Sequence, residues 1–190
     1  MSKSPGELPP KLLAVFIRLG RSVNLNVTQA VKLPYLVDVV ATHFLGAPIT
    51  EGTHQGWDKG VVTSQVWHYL TKCEEPSVFH LEPVPWSEER RVVIHAETDG
   101  VELTPEQEQV IDIVVKLYSG MSASELGRLT KFMNPEISAW GSNREASLKA
   151  DAYDRMSDEY QAMAKMASLV TLDQLKEDWE PVMSIEDAVA

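Results

Sequence analysis

KLPYLVDVVATHFLGAPIT, residues 32–50, is the stretch that says most about how this chain folds. Its apolar residues recur at steps of three and four, which is the spacing of one face of an α-helix. They are Leu33, Leu36, Val37, Val40 and Phe44. Thr28 upstream is of a type that caps helix N-termini, and Gly46 is of the type that ends helices. The stretch therefore predicts a helix from about residue 28 to residue 45.

Two residues in this helix do not fit an ordinary apolar face. Pro34 removes a backbone donor and clashes with the preceding turn. We therefore expect the helix to bend there, or its regular part to begin at about Lys32. Asp38 is an acid in an otherwise apolar stretch.

The segment before this helix predicts a lead-in and one more helix. Residues 1–9 are polar and proline-rich and lack the apolar core of a signal peptide, so we expect a flexible lead-in and a cytoplasmic protein. Apolar residues at helical spacing then predict a helix over about 9–23, with Pro9 and Pro10 suited to its start.

After residue 45 the pattern alternates between loops and short elements. Residues 46–62, rich in Gly, Pro, Thr and Asp, predict a loop or short hairpin, with Trp57 as an apolar anchor. Residues 61–71 predict a third helix, and residues 74–90, with three prolines, an irregular connection. Residues 90–98 are rich in β-branched residues and predict a strand.

The second half predicts further helices. Thr104 followed by Pro105 is a strong start signal, and Ser122 with Glu125 three residues later forms a capping box. Residues 145–168 and 172–182 predict two more helical stretches. The resulting fold class is mainly α with a minor β element, a compact multi-helix domain with a short hairpin or small sheet.

Composition and charge limit the possible functions. The chain has 190 residues, 44% of them hydrophobic, and no apolar run long enough to span a bilayer. Its net charge is −11, and residues 101–190 carry 17 acidic and 8 basic residues. This field opposes binding to nucleic acid and favours encounter with a basic partner, although solubility alone also explains it.

Signatures of catalysis or metal binding are missing from the sequence. Cys73 is the single cysteine, so no internal disulfide is possible, and no two histidines stand three or four residues apart. No zinc motif, phosphate-binding glycine loop or nucleophile elbow occurs. We therefore predict no catalytic residue, no metal and no cofactor, and a protein that is not an enzyme. A hydrolase assembled from scattered histidines and aspartates is the alternative.

Residues 121–132, MSASELGRLTKF, offer a different interpretation, because they are similar to half of a helix-turn-helix. A DNA-binding regulator would need a basic face, and this segment has only Arg128 and Lys131 as bases. A DNA-binding transcriptional regulator is therefore kept only as an alternative function.

Three segments together resemble the Panacea antitoxin-domain family, also called SocA-like or GepA-like. In residues 32–50 the matching positions include Lys32, Tyr35, Asp38 and the Gly-x-Pro-Ile-Thr run of residues 46–50. Residues 57–62 match at Gly60 and Val62. Residues 103–130 match through the Ser-Ala-x-Glu-Leu-x-x-Leu-Thr pattern, and Trp140 is similar to the closing tryptophan of the family. Pro34, where the family has Leu, and Lys131, where His is common, depart from the pattern.

The resemblance implies a domain organisation and a function. We expect a Panacea-like helical domain over residues 10–142 and a helical C-terminal extension over 143–190. Such a protein would neutralise a cognate toxin of a prokaryotic or phage toxin–antitoxin system by direct protein–protein binding. Alternatively it would be a proteolytic adaptor that delivers the toxin to a protease. The oligomeric state is left open.

Aromatic residues are the best candidates for binding the toxin, because they dominate the energy of protein interfaces. The candidates are Tyr35, Trp57, Trp67 and Trp140, with Asp58 and Lys59 as a polar rim. Tyr35 and Trp67 lie within predicted helices and could instead fill the core.

Overall fold

The computed structural model describes residues 8–72, 77–96, 101–135, 137, 144–146, 148, 152–155 and 157–158. The described part contains five named helices and five named strands. The helices are α1 (Pro10–Ser22), α2 (Val27–Leu45), α3 (Ser64–Lys72), α4 (Pro105–Tyr118) and α5 (Ala123–Phe132). The strands are β1 (His54–Trp57), β2 (Gly60–Thr63), β3 (Phe79–Pro83), β4 (Arg90–Ile94) and β5 (Arg144–Glu145).

The central element is α2, because every residue from Gln29 to Ala41 is buried. It contacts all four other named helices and also β2 and β4. An amphipathic surface helix would expose one face. The burial of α2 on all sides instead suits a helix that is surrounded by other elements.

The ends of α2 are fixed by local signals, one of which we predicted wrongly. Asn26, not Thr28, is the N-cap, and Gln29 reaches back to complete a capping box. Gly46 ends the helix with φ 76°, a left-handed conformation, as predicted. Pro34 lies inside the helix, which continues without interruption from Val27.

The helices before and after α2 follow the sequence pattern. The predicted helix 9–23 is confirmed as α1, which buries Leu12, Phe16 and Leu19. Helices α4 and α5 begin at the predicted caps, Thr104 and Ser122, each with a complete capping box.

Two predictions in the middle of the chain were wrong. The helix predicted over 61–71 begins only at Ser64, because residues 60–63 are β2. The connection predicted to be irregular over 74–90 contains β3, which pairs with β4. The strand predicted over 90–98 is confirmed, although β4 ends at Ile94.

The strands form two small antiparallel sheets, ordered β2-β1-β5 and β3-β4. Strands β1 and β2 form a hairpin with Trp57 paired to Gly60, and β5 pairs with β1 along its other edge. The second sheet is attached to the start of α2, because the backbone N–H of Val92 donates to the carbonyl of Leu25 at 2.8 Å.

Several predicted features lie partly or wholly outside the described residues. Most of residues 1–9, most of 145–168, all of 172–182, Cys73 and Trp140 belong to this group. Where the second half of the chain is described, Arg144–Glu145 is a strand rather than the start of a helix, and residues 152–155 are helical.

The fold class is therefore mainly α with a minor β part, as predicted, and the two antiparallel sheets are more extensive than the short hairpin or small sheet that we expected. Within the described ranges, no helix combines the length and the apolar character that crossing a lipid bilayer requires.

Candidate partner-binding site

The turn between β1 and β2 contains two of the predicted site residues. Asp58 and Lys59 form its tip and are exposed, and Gly60 follows with φ 99°. L-residues rarely adopt this conformation, so glycine is favoured there. The side chains of Asp58 and Lys59 are thus displayed to solvent on a tight, defined turn.

Helix α5 packs against this turn at backbone distance. A Cβ atom on Gly127 would lie 2.8 Å from the carbonyl oxygen of Lys59. A Cβ atom on Gly60 would lie 2.4 Å from Thr130 Oγ1. Only glycine at both positions allows this approach, so α5 and the hairpin pack in direct backbone contact.

Lys32 holds the same turn from the side of α2. Its side chain is 2% exposed, and its Nζ donates to the carbonyl oxygens of Lys59 (2.8 Å) and Val61 (2.9 Å). Burial, and to a smaller extent the charge of Lys131, lower the pKa of Lys32 to about 8. A buried amine requires such partners, so these two hydrogen bonds hold the turn at a defined distance from α2.

Helix α5 adds a second set of polar contacts. Thr130 Oγ1 accepts a hydrogen bond from the backbone N–H of Val61 at 3.1 Å and donates to the carbonyl of Leu126. Asn134, two residues after the end of α5, donates through Nδ2 to the hydroxyl of Tyr35 at 2.9 Å. Tyr35 and Thr130 are fully buried, so these bonds connect α2, α5 and the hairpin inside the core.

The buried carboxylate of Asp38 binds the base of the hairpin and the residues that precede it. Asp38 Oδ1 accepts from the backbone N–H groups of Ile49 (2.8 Å) and Thr50 (2.9 Å). Asp38 Oδ2 accepts from the hydroxyl of Thr50 and lies 2.8 Å from His54 Nε2. The second ring nitrogen of His54 lies 3.0 Å from Thr63 Oγ1. The Nε2-protonated tautomer satisfies both contacts, because it donates to the carboxylate and accepts from the hydroxyl.

Asp38, His54 and Thr63 thus stand in the order carboxylate, imidazole, hydroxyl, which is also the order of a nucleophilic triad. Their exposures are 0%, 2% and 0%. A substrate would have to separate α2 from the hairpin to reach the Thr63 hydroxyl. The arrangement is instead suited to holding β1, β2 and residues 49–50 against α2, with its hydrogen-bonding groups satisfied.

The hairpin and α3 each contribute one tryptophan to an aromatic pair that packs partly against the core. Trp57 at the end of β1 and Trp67 on α3 are both partly exposed, and their ring centroids lie 5.6 Å apart at an interplanar angle of 75°. This edge-to-face geometry is a favourable one for aromatic rings. We call Trp57, Asp58, Lys59 and Trp67 the hairpin surface.

The predicted site residues therefore separate into three groups. The structure brings four of them together as the hairpin surface. Tyr35 is in the core, where its ring contacts His54 at a centroid distance of 5.2 Å, as its alternative interpretation held. Trp140 lies outside the described residues.

Sequence reasoning missed the residues that hold the hairpin surface in place. His54 was considered only as one of five histidines without metal-ligand spacing, and Lys32 and Thr130 were noted only as parts of family motifs. The isolated acid Asp38 was the single signal, because a buried carboxylate needs hydrogen-bonding partners. Nothing in the sequence indicated that Trp86, in the turn between β3 and β4, has a fully exposed side chain.

A further cluster of titratable groups is a histidine pair at the second sheet, formed by His80 on β3 and His95 just after β4. The rings of His80 and His95 stack at a centroid distance of 4.5 Å, and His80 Nε2 lies 2.9 Å from Glu82 Oε1. Among the described residues, no group of three or more His, Cys, Asp or Glu side chains is arranged to hold a metal ion.

These features define a class: a mainly helical domain in which a central helix and α5 hold a β-hairpin through buried polar contacts. The chain belongs to the family described as antitoxin SocA-like, Panacea domain, whose model matches residues 31–135. The matched segment runs from within the first turns of α2 through α5 and includes the contacts that Lys32, Asp38 and Thr130 make to the hairpin, and it confirms the resemblance drawn from the sequence. No curated protein and no solved structure matches the chain.

Proposed function

We propose that this protein is an antitoxin that neutralises a cognate protein toxin by binding it through the hairpin surface. Membership of an antitoxin-like family supports the general role. The observation that supports the site is the partly exposed Trp57–Trp67 pair beside a turn held by Lys32 and α5. Preorganised aromatic groups bind well because little conformational freedom is lost when the partner docks.

The proposed mechanism requires no bond-breaking step by the antitoxin. The toxin would cover the tryptophan pair, with Asp58 and Lys59 at the rim of a contact that buries on the order of 1,600 Å² in total. The net charge of −11 would accelerate encounter with a basic toxin and would make the association rate sensitive to salt. We expect the complex to form in the cytoplasm.

The test is co-expression of this protein with the product of the adjacent reading frame. We expect the neighbour to arrest growth when expressed alone and the wild-type antitoxin to restore growth. Trp57→Ala should weaken the complex by about 2 kcal/mol, roughly 30-fold in Kd, and should reduce rescue. Isothermal titration with purified proteins measures the affinity.

Val92→Ala is the matched control for a loss of folded protein. Val92 is buried in β4, and its truncation should destabilise the fold by about 2 kcal/mol without changing the hairpin surface. This variant should bind the toxin with wild-type affinity. A harmless neighbour, or the absence of any stable complex, would show that the protein is not an antitoxin. A Trp57→Ala variant with unchanged affinity would place the interface elsewhere.

Delivery of the toxin to a protease is a variant of the same proposal, because it also begins with toxin binding. The two are separated by the half-life of the toxin in cells, which shortens in the presence of the antitoxin only if a protease is involved. DNA binding is tested by a gel shift at physiological salt. The described bases on α5, Arg128 and Lys131, are few for that role.

A further inference from the structure

The second sheet brings together two histidines that lie 15 residues apart in the sequence. His80 is on β3, and His95 directly follows β4, where its backbone N–H donates to the carbonyl of Val78 at 2.8 Å. His80 is paired with Val93, and His95 stands two residues further along the same strand direction. Because side chains two residues apart emerge on one face of a sheet, regular backbone holds both imidazoles side by side.

The two rings direct nitrogen atoms toward each other. Their planes are nearly parallel, at 11°, and their centroids are 4.5 Å apart, whereas His80 Nδ1 and His95 Nε2 are separated by only 2.5 Å. The two nitrogens therefore lie between the ring centres, and the in-plane direction of each nitrogen points at the other ring. Imidazole nitrogens are the commonest protein ligands of transition-metal ions, and here two of them converge on one point.

Glu82 selects the form of His80 that a metal ion requires. Its Oε1 lies 2.9 Å from His80 Nε2. An ionised carboxylate can only accept a hydrogen bond, so Nε2 carries the proton and Nδ1 of the neutral ring has a free lone pair directed at His95. A carboxylate on the second ring nitrogen of a histidine ligand is a regular feature of metal sites, where it fixes the tautomer and the ring orientation.

We propose that His80 Nδ1 and His95 Nε2 form a binding site for a divalent transition-metal ion such as Zn²⁺, with Glu82 as the residue that orients His80. Without metal, the Nε2–H of His95 donates to His80 Nδ1. With metal, the ion takes the place of this hydrogen, and His95 carries its proton on Nδ1 instead. Ligand distances of about 2.0–2.1 Å in a tetrahedral site place two nitrogens roughly 3.3 Å apart, so the rings need to separate by less than about 1 Å. Both side chains are at the surface and can make this adjustment.

The groups around the site indicate the class of ion. Arg91 is paired with Glu82 across the hairpin, so the local charge is close to balanced, and Ca²⁺ or Mg²⁺ would lack the oxygen ligands that they prefer. Imidazole instead suits Zn²⁺, Cu²⁺ and Ni²⁺. The described residues supply no group of three such ligands, so water completes the coordination and the affinity is below that of a structural zinc site. The inference is independent of toxin binding.

Titration of the purified protein with ZnCl₂ in a calorimeter tests the site. We expect saturable binding of one Zn²⁺ per chain, and His80→Ala, His95→Ala and Glu82→Ala should each raise the Kd by at least about 10-fold. His68→Ala is the matched control, because it removes an exposed histidine on α3 and should leave the Kd unchanged. MgCl₂ should give no binding at the same concentrations. All four positions are at the surface, so the variants should melt at the wild-type temperature in the presence of EDTA.

A second measurement separates metal binding from a purely structural histidine pair. NMR spectra of the imidazole nitrogens should show Zn²⁺-dependent shifts at His80 Nδ1 and His95 Nε2, with those of His68 unchanged. The absence of saturable binding up to about 1 mM Zn²⁺ would refute the site. Unchanged affinity of both histidine variants would also refute it, since the ion would then bind elsewhere. Unchanged affinity of Glu82→Ala alone would overturn the orienting role, and equal binding of Mg²⁺ would overturn the assignment to imidazole ligands.

Discussion

Replacing Asp38 by alanine should destabilise the fold far more than the loss of a single exposed carboxylate would. The carboxylate accepts hydrogen bonds from the N–H groups of Ile49 and Thr50, from the Thr50 hydroxyl and from His54, and it is fully buried. Each donor left unsatisfied in the core costs about 1–3 kcal/mol, and entry of a water molecule into the vacated space would recover part of this. We therefore expect a loss of about 4 kcal/mol.

Urea denaturation, followed by tryptophan fluorescence and by circular dichroism, measures this loss. A decrease of about 4 kcal/mol is a large part of the roughly 5–15 kcal/mol that stabilises a typical domain. Asp38→Asn should cost only about 1–2 kcal/mol, because the amide oxygen can accept from the backbone and His54 can change its tautomer. Asp58→Ala, at an exposed carboxylate, should change the stability by about 0.5 kcal/mol or less.

The contrast among these three variants is what tests the reasoning. If Asp38→Ala were to lose less than about 1 kcal/mol, the buried carboxylate would not be organising its neighbours as described. A loss as large for Asp58→Ala would point to a general effect of acidic residues rather than to the contacts of Asp38.

The remaining predictions concern glycines with positive φ and the contact of Lys32 with the hairpin. Gly60→Ala should cost about 2–4 kcal/mol, because its Cβ would meet Thr130 Oγ1 at 2.4 Å and Gly127 O at 2.8 Å on a backbone with positive φ. Gly46→Ala, which has a positive φ but nothing within 4 Å, should cost about 1 kcal/mol, and comparable losses in thermal denaturation would refute the steric account. Since the pKa of Lys32 is lowered from 10.5 to about 8, the unfolded chain binds more protons between these values, and stability from this group rises with pH. Wild type should therefore gain about 2 kcal/mol relative to Lys32→Met between pH 7 and pH 10, and parallel pH profiles would contradict this.

The features that were predictable from the sequence are those determined within a few residues. The caps Thr104 and Ser122 and the helix end at Gly46 were assigned correctly, because capping depends on side chains three or four positions away. The error at the start of α2 has the same local origin. Asn26 and Thr28 are both good caps, and the choice depends on Gln29, which reaches back to Asn26.

The polar core could not be predicted, because its partners are distant in sequence. Asn134 and Tyr35 are 99 residues apart, and Lys32 contacts a turn 27 residues away. Neither periodicity nor composition reports such pairs. The buried lysine was ambiguous for a further reason, since lysine is usually exposed and its position in an apolar helix also fits a solvent-facing residue.

Strand β3 and its turn were missed because their composition is typical of irregular chain. Pro83 and Pro85 lie at and just beyond the end of the strand, and prolines in a segment usually argue against a strand. Here Pro83 is the last residue of the strand and Pro85 sits in the turn, both places that tolerate proline. The exposure of Trp86 is a tertiary property, and a tryptophan would ordinarily be assigned to a core.

The last described strand has a practical consequence for anyone who trims this protein. Arg144–Glu145 covers the outer edge of β1, yet it lies nine residues past the end of the family-matched segment. A fragment cut at residue 135 would leave the β1 backbone bare along that side, and bare strands recruit neighbouring chains into aggregates. Fragments for crystallisation or for binding assays should therefore extend beyond residue 146, and aggregation of a fragment that ends at residue 135 would result from the exposed edge of β1 rather than from low stability of the protein.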